Sequence, residues 1–302
     1  MLSRHTLLSL LILLSLLANA VQAKNNGYYR YPAIHGDMVV FTAEGDLWKV
    51  RLGTSEAIRL TTHPEQELHP AISTDGKWIA FSASYEGPTE VYLIPVEGGK
   101  PERLTYDGES ARVVGWTPDR RVCYATRHFS TLPNTQLVLV DPQTKQIERV
   151  ELNQASQAAW LEKQMGLVFT RLSKQGSSTK RYHGGSVENL WKYMLGQDEA
   201  VALTADYTGT SRSPMLHGDR IYFNSDRDGT LNIWSMNLQG KDLQQHTTHE
   251  GFDCLRPDLH GNRIVYQLGA DLYVLDLSTD KSSVIPITLS SDFEQRRELW
   301  VE

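Results

Sequence analysis

The chain has 302 residues, of which 40% are hydrophobic and 22% are charged, a composition typical of a globular protein with a large core. Its formal net charge is -6 at pH 7, and the sequence contains no cluster of lysine and arginine. A nucleic-acid-binding protein needs such positive charge to neutralise phosphates, so this function class is excluded.

The N-terminal sequence has the layout of a secretory signal peptide. Residues 1–23, MLSRHTLLSLLILLSLLANAVQA, contain Arg4, an apolar run from Leu7 to Leu17, and the small-residue patterns ANA and VQA. A membrane-spanning helix needs about 20 apolar residues, so the run is short for an anchor, although an uncleaved anchor is the alternative. We expect cleavage after Ala23 and a periplasmic protein with no further membrane segment.

One sequence unit recurs six times after residue 23. HGDRIYFNSDRDGTLNIWSMNL, residues 217–238, is similar to HGNRIVYQLGADLYVLDL at 260–277 and to HGDMVVFTAEGDLWKVRL at 35–52. DGKWIAFSASYEGPTEVYLIPV, residues 75–96, is a copy with a longer loop, and degenerate copies follow from residues 119 and 166. This self-similarity predicts a repeat architecture.

Each copy contains four short apolar segments bounded by Gly, Asp and Asn, which predicts four β-strands joined by hairpin turns. One residue anchors the third segment of each copy, at intervals of 39 to 52 residues: Trp48, Tyr92, Leu139, Trp191, Trp234 and Tyr273. Four-stranded units with this period are typical of propeller blades. The sequence therefore predicts an all-β, six-bladed β-propeller over residues 24–290, with blades at about 31–66, 67–109, 110–152, 153–207, 208–250 and 251–288. Residues 291–302 would be a linker toward a following domain.

The predicted blades are contiguous in sequence, which bears on how the ring closes. We expect closure only through side-chain packing between blades one and six. Cys123 and Cys254 would lie in blades three and six, on opposite sides of the ring. A disulfide requires Cα atoms within about 7 Å, so both are interpreted as small buried apolar residues.

Familiar catalytic and metal-binding patterns do not occur in the sequence. His35, His217 and His260 each precede glycine at the same place in a repeat, and His69 is near the equivalent strand of another copy. Recurrence by position favours turn or capping residues over a metal site, which needs three or four converging ligands. The tryptophans share one register and are interpreted as packing residues. With no HExxH, GxSxG or P-loop, we predict no catalytic residue, no metal and no cofactor in this chain.

One segment departs from the repeat. RLSKQGSSTKRYHGGSVENLW, residues 171–191, lengthens the middle turn of blade four. It carries basic and aromatic residues that could contact peptides or a neighbouring domain: Arg171, Lys174, Lys180, Arg181, Tyr182 and His183. Long loops on a rigid scaffold often carry function, although a solvated insertion is the alternative.

The sequence resembles the tricorn proteases, a family of large serine peptidases. The similarity lies in YPAIHGDMVVFTAEGDLWKV at the start, in DRIYFNSDRDGTLNIWSMNLQGKDLQQHT in blade five, and in YHGGSVENLW in blade four, which includes Tyr182, Gly184, Gly185 and Trp191. Blade repeats alone are shared with Tol-system propellers. In the tricorn family the six-bladed propeller is N-terminal, and a seven-bladed propeller, a PDZ-like domain and two catalytic subdomains follow it.

The resemblance implies a non-catalytic propeller that gates or channels peptides to or from a catalytic core outside these 302 residues. A basic element in some family members helps to hold substrate termini; the corresponding region is shorter here, and Arg112 is the nearest candidate. The implied partners are peptides, the catalytic domains and, in a hexamer, further copies of the chain. The alternative is a stand-alone periplasmic propeller that docks a protein partner, similar to the Tol-system propellers.

Overall fold

A computed structural model describes residues 27–161, 166–172 and 181–291 of the chain. The predicted signal peptide at 1–23, Lys174, Lys180 and residues 292–302 lie outside these ranges. Within the described ranges the regular elements are all β-strands, and no helix is long and apolar enough to span a membrane.

Six antiparallel sheets of four strands each form the blades, which confirms the predicted six-bladed β-propeller. Blades one and two contain β1 (Arg30–His35), β2 (Met38–Ala43), β3 (Asp46–Arg51), β4 (Glu56–Arg59), β5 (Glu67–Ile72), β6 (Trp78–Ala83), β7 (Glu90–Pro95) and β8 (Glu102–Arg103). Blades three and four contain β9 (Arg112–Trp116), β10 (Val122–Thr126), β11 (Gln136–Val140), β12 (Ile147–Arg149), β13 (Gln157–Trp160), β14 (Gly166–Thr170), β15 (Leu190–Met194) and β16 (Val201–Ala202). Blades five and six contain β17 (Ser211–His217), β18 (Arg220–Ser225), β19 (Asn232–Asn237), β20 (Gln244–Gln245), β21 (Cys254–His260), β22 (Arg263–Leu268), β23 (Asp271–Asp276) and β24 (Lys281–Val284).

The anchor residues of the third strands occupy one common register. Trp48 pairs with Phe41 on the second strand of blade one, and Trp234 pairs with Phe223 in blade five. The other four anchors face a second-strand residue in the same way: Tyr92 faces Phe81, Leu139 faces Cys123, Trp191 faces Phe169 and Tyr273 faces Tyr266. The repeat found in the sequence is therefore a repeat of strand register.

Apolar side chains fill the interfaces between neighbouring blades. Phe41 and Trp48 of blade one form one buried cluster with Val265 and Leu272 of blade six. Burial of a large apolar side chain contributes about 1.5–3 kcal/mol, so these interfaces supply much of the stability of the ring. Packing between blades one and six therefore takes part in ring closure.

The two faces of the ring differ in the connections that they carry. One side of the ring carries the turn between the second and third strands of each blade and the connection that leads into the first strand of the next blade. We call this side the "loop face". The lengthened segment of blade four is one of these turns. In blade one the same turn is the pair Glu44–Gly45, with φ of 55° and 92°. Two consecutive positive φ angles are what a type I′ hairpin turn requires, and glycine adopts them at little cost.

A recurring threonine joins the fourth strand of a blade to its third strand. The hydroxyl of Thr61 accepts a hydrogen bond from the backbone N–H of Leu47, and equivalent bonds join Thr105 to Val91 and Thr247 to Ile233. In blade one the Thr61 hydroxyl also donates to the carboxylate of Glu67, which is the first residue of blade two.

The Glu67 carboxyl therefore ties blade one to blade two. One oxygen accepts a hydrogen bond from the N–H of Leu47 at 2.9 Å and another from Thr61, while the other oxygen accepts from the Tyr85 hydroxyl. Burial raises the pKa of the Glu67 carboxyl to about 7, although these three hydrogen bonds act in the opposite direction.

The expectation that the ring closes only through side-chain packing is wrong. A further strand, β25 (Thr288–Leu289), follows blade six and pairs in parallel with Glu56–Ala57 on the outer strand of blade one. The N–H of Thr288 donates to the carbonyl of Ser55 at 2.7 Å. The blades are contiguous as predicted, but this backbone pairing adds a latch across the point of closure.

Thr288→Pro tests the latch. Proline removes the N–H donor to Ser55, and loss of one backbone hydrogen bond should lower the free energy of unfolding by about 1 kcal/mol. Equilibrium unfolding in denaturant measures the change, and hydrogen exchange should show faster opening of blades one and six. Thr288→Val is the matched control because it keeps the donor. Equal stability of the two variants would contradict a latch made by the backbone.

Glu67→Gln tests the buried carboxyl. In the wild type the folded-state pKa lies above the ordinary value of 4.5, so the stabilising effect of protonation is complete below pH 4.5 and is lost as pH rises through about 7. The amide does not titrate. Relative to the wild-type value, the free energy of unfolding of the variant should therefore increase by about 3 kcal/mol between pH 4.5 and pH 8, at about 1.4 kcal/mol per pKa unit. Denaturant unfolding at several pH values measures this, with the exposed Glu56→Gln as control; a difference that stays constant with pH would refute it.

Candidate functional site

The six innermost strands surround a cavity on the axis of the ring. Its volume is about 450 Å³, and residues of β1, β5, β9, β13, β17 and β21 line it. Because each blade presents its first strand to the axis, residues far apart in sequence meet there. This axial cavity is the candidate functional site.

A repeated backbone irregularity shapes the lining of the cavity. A proline occupies the same place in four inner strands, namely Pro32, Pro70, Pro214 and Pro257. In each of these strands the pairing with the second strand shifts by one residue, as expected for a β-bulge. An inner strand is an edge strand, where proline is tolerated because no ladder partner needs its N–H.

The residue before each of these prolines has a positive φ. The angles are 52° at Tyr31, 53° at His69, 53° at Ser213 and 53° at Arg256, and all four residues line the cavity. Non-glycine residues in this region cost on the order of 1–3 kcal/mol, and such strain concentrates at functional sites. The same bulge therefore directs a different side chain into the cavity from each of four blades.

Basic and aromatic groups converge in the half of the cavity near the loop face. The Tyr31 and His69 rings lie 4.4 Å apart between centroids, and the Arg256 guanidinium lies 4.8 Å from the Tyr31 ring. From blade three, Nη2 of Arg112 donates to the carbonyl and hydroxyl oxygens of Ser156 at 2.7 and 2.9 Å. Groups from blades one, two, three and six thus share one region.

Burial and neighbouring charges shift the pKa values of these groups. Burial, with the charge of Arg256, lowers the pKa of Arg112 to about 10, and Glu188 acts in the opposite direction. Burial and the charges of Arg256 and Arg112 lower the pKa of His69 well below its usual range. His69 is therefore neutral at pH 7, and the positive charge belongs to the arginines.

Two carboxylates near the cavity already have partners. Glu188 lies 3.3 Å from Nη1 of Arg212, and both side chains are buried. One oxygen of Asp258 accepts a hydrogen bond from the N–H of Ile34 at 2.7 Å, which connects blade six to blade one. Burial raises the pKa of Asp258 to about 6.

The opposite end of the cavity carries histidines and a tryptophan that link blades. The rings of His35 and His260 lie 4.1 Å apart, and Nδ1 of His260 accepts from the N–H of Gly36. Nε1 of Trp116 donates to the carbonyl of Ala71 at 2.9 Å. Among the described residues no group of three or more histidines, cysteines or carboxylates is placed to hold a metal ion. His35 and His260 thus contribute to contacts between blades.

The site residues predicted from the sequence do not form one patch. Arg112 lines the axial cavity, whereas Arg171 lies over the Trp191 ring at 5.2 Å, in a groove between blades three and four. Nε of Arg181 donates to the carbonyl of Gly229 at 2.6 Å, and Nδ1 of His183 lies 3.2 Å from the Thr208 hydroxyl.

The remaining predicted residues add little to a common surface. Tyr182 lies half-buried between Arg181 and His183, and Lys180 lies outside the described residues. The described contacts of Arg181 and His183 reach Gly229 and Thr208, in blade five and in the connection that leads into it. Contact with peptides or a further domain remains a prediction for these residues.

Sequence reasoning missed Tyr31 and Arg256 as residues of the cavity, and it interpreted His69 as a structural residue. A usable signal was present, because YP, HP, SP and RP recur at the same place in four copies. Cys123 and Cys254 are unpaired and buried as predicted, and burial raises the pKa of each thiol to about 12, which makes neither a nucleophile.

Comparison with known families agrees with the fold and the repeat. Residues 26–281 match the family described as "Tricorn protease N-terminal beta propeller domain". The chain belongs to this family. The Tricorn protease homolog 1 of Streptomyces coelicolor is 33% identical over 254 residues, which cover 82% of this chain and 23% of that protein. The chain thus spans about a quarter of the length of this tricorn relative.

Solved structures show the same propeller fold. The tricorn protease crystal structure superimposes with a TM-score of 0.78 at 24% identity, covering 86% of this chain and 26% of that one. TolB from Acinetobacter baumannii gives a TM-score of 0.58 at 16% identity, covering 78% of this chain and 58% of that one. The tricorn propeller and the TolB propeller therefore share the arrangement of blades seen here.

Proposed function

We propose that this chain is the propeller through which peptides reach or leave the catalytic domains of an exported tricorn-type serine peptidase. The axial cavity carries the proposal, because residues from all six blades converge on its open space. Catalysis would belong to domains outside these residues.

The direction of the chain supports a partner on the loop face. β25 runs parallel to β4 and therefore ends at the loop face, where the Ser291 hydroxyl donates to Glu44 in the turn between β2 and β3. The arginines of the cavity lie near the same face. Catalytic domains seated there would lie directly over the mouth of the cavity.

The Gly115→Trp substitution tests passage along the axis. Gly115 lines the cavity, and a Cβ atom at this position would meet no other atom within 4 Å. The Cβ of a tryptophan therefore has room at this position, and its indole would narrow the cavity. In the assembled peptidase we expect cleavage of peptides longer than ten residues to slow by tenfold or more, with little change for dipeptide-sized chromogenic substrates.

Ser283→Trp is the matched control for this substitution, because Ser283 is exposed on the outer strand of blade six. Peptide length profiles of the two variants and the wild type, measured as kcat/KM, decide the question. Unchanged cleavage of long peptides by a folded Gly115→Trp protein would contradict passage through this cavity.

A second candidate function is docking of a protein partner by a propeller that works alone. The observation that favours it is a set of large apolar side chains exposed on the loop face: Tyr28, Tyr106, Leu132 and Phe252. Exposed aromatic residues are enriched at protein interfaces. They lie around the rim of the ring and not in one patch, so the cavity remains the better supported site.

Immunoprecipitation from the source cell separates the two functions. An antibody against the purified chain, used on the periplasmic fraction, should recover a peptidase activity that a serine-directed phosphonate abolishes. Competition with excess purified chain is the control. Recovery of a stoichiometric partner without such activity would favour docking, and recovery from the cytoplasmic fraction alone would refute export.

A further inference from the structure

The two arginines of the axial cavity have donors that the protein does not use. A guanidinium has five N–H donors in a planar fork. Within the described residues Arg112 donates only through Nη2, to Ser156, and Arg256 makes no hydrogen bond or ion pair. Both side chains remain partly accessible, and both line the cavity.

The charge around these arginines is not balanced. Of the nearby carboxylates, Glu188 pairs with Arg212 and Asp258 accepts from the backbone of Ile34. Burial lowers the pKa of Arg256 and the charge of Arg212 acts in the same direction, whereas Tyr31 and the charge of Glu188 act in the opposite direction. Unpaired cations in a site of low dielectric repel each other and attract any anion small enough to enter.

The backbone of Arg256 is held in a strained conformation. Its φ of 53° is in the left-handed region, and Pro257 follows it. Strain of this kind persists where the surrounding structure fixes it, and it is common at ligand sites. Next to it the Tyr31 hydroxyl forms no hydrogen bond with a described residue, so it is a further donor at the edge of the same space.

We propose that Arg112 and Arg256 bind one oxyanion, a carboxylate or a phosphate group, in the half of the axial cavity near the loop face. The arginines project from blades three and six, which face each other across the axis. An oxyanion between them accepts charge-assisted hydrogen bonds from both guanidinium groups, and the Tyr31 hydroxyl completes the set. The site does not require that peptides pass through the cavity.

Titration of the purified chain tests the site. The probes are inorganic phosphate and glutarate, each against sodium chloride at matched ionic strength, with the midpoint of thermal unfolding as readout. A ligand that binds only the folded state raises this midpoint in a saturable way. We expect saturation with at least one probe, and the probe that saturates at the lower concentration identifies the source of the oxyanion as phosphate or carboxylate.

Arg256→Gln is the decisive variant. Because Arg256 has no hydrogen-bond partner among the described residues, its removal leaves no protein group unpaired and relieves the repulsion between arginines. The variant should be at least as stable as the wild type without anion, and its apparent affinity should fall tenfold or more. Arg51→Gln, an exposed arginine paired with Asp37 on the other face, is the control and should bind as the wild type does.

Two results would overturn the proposal. One is the absence of any saturable effect beyond that of chloride. The other is the same saturable effect in Arg256→Gln as in the wild type, which would mean that the anion binds elsewhere. Neither result depends on peptide cleavage, so these experiments test the anion site independently of the proposed passage of peptides.

Discussion

Hydrogen bonds between neighbouring blades hold the axis of this ring together. Backbone bonds join blades at the loop face, for example from the N–H of Glu67 to the carbonyl of Gly45 and from the N–H of Ala111 to that of Thr89. Side chains add further bonds along the cavity: Trp116 donates to the carbonyl of Ala71, Arg112 to that of Ser156, and Asp258 accepts from the N–H of Ile34. A single hydrogen bond of this kind contributes about 1 kcal/mol, and an orphaned buried group costs more than that. The residues that line the cavity are therefore largely committed to structure.

The blades were predictable because their signals are local. Alternating apolar residues and glycine-containing turns specify each hairpin within about 20 residues, and the shared register of Trp48 and Trp234 follows from the repeat. Ring closure was not predictable in the same way. β25 has two residues, lies after a proline and pairs with a strand more than 200 positions earlier, and so short a segment carries no periodic pattern.

The candidate site was predictable only in part, and for a geometric reason. Arg112 was named through a family resemblance, and the cavity contains it, but Arg256 reaches the same space from the opposite blade. Only the closed ring brings these positions together, since nothing within either repeat relates them. In the blade-four segment, Arg171 and Arg181 are ten positions apart and contact different blades, Arg171 the Trp191 ring of blade four and Arg181 the carbonyl of Gly229 in blade five.

Some polar groups of the cavity hold neighbouring blades together and others have no partner among the described residues, and this difference limits how the cavity can bind a ligand. Arg112 cannot move far without releasing Ser156, and Asp258 cannot move without releasing the contact between blades six and one. The guanidinium of Arg256 and the hydroxyl of Tyr31 form no hydrogen bond between blades within the described residues, and both residues lie on backbone bulges that the fold keeps in place. A ligand can therefore engage them without loosening the ring. If both proposals hold, the propeller recognises charge at its axis as a rigid frame, and any conformational response comes from what binds at the loop face.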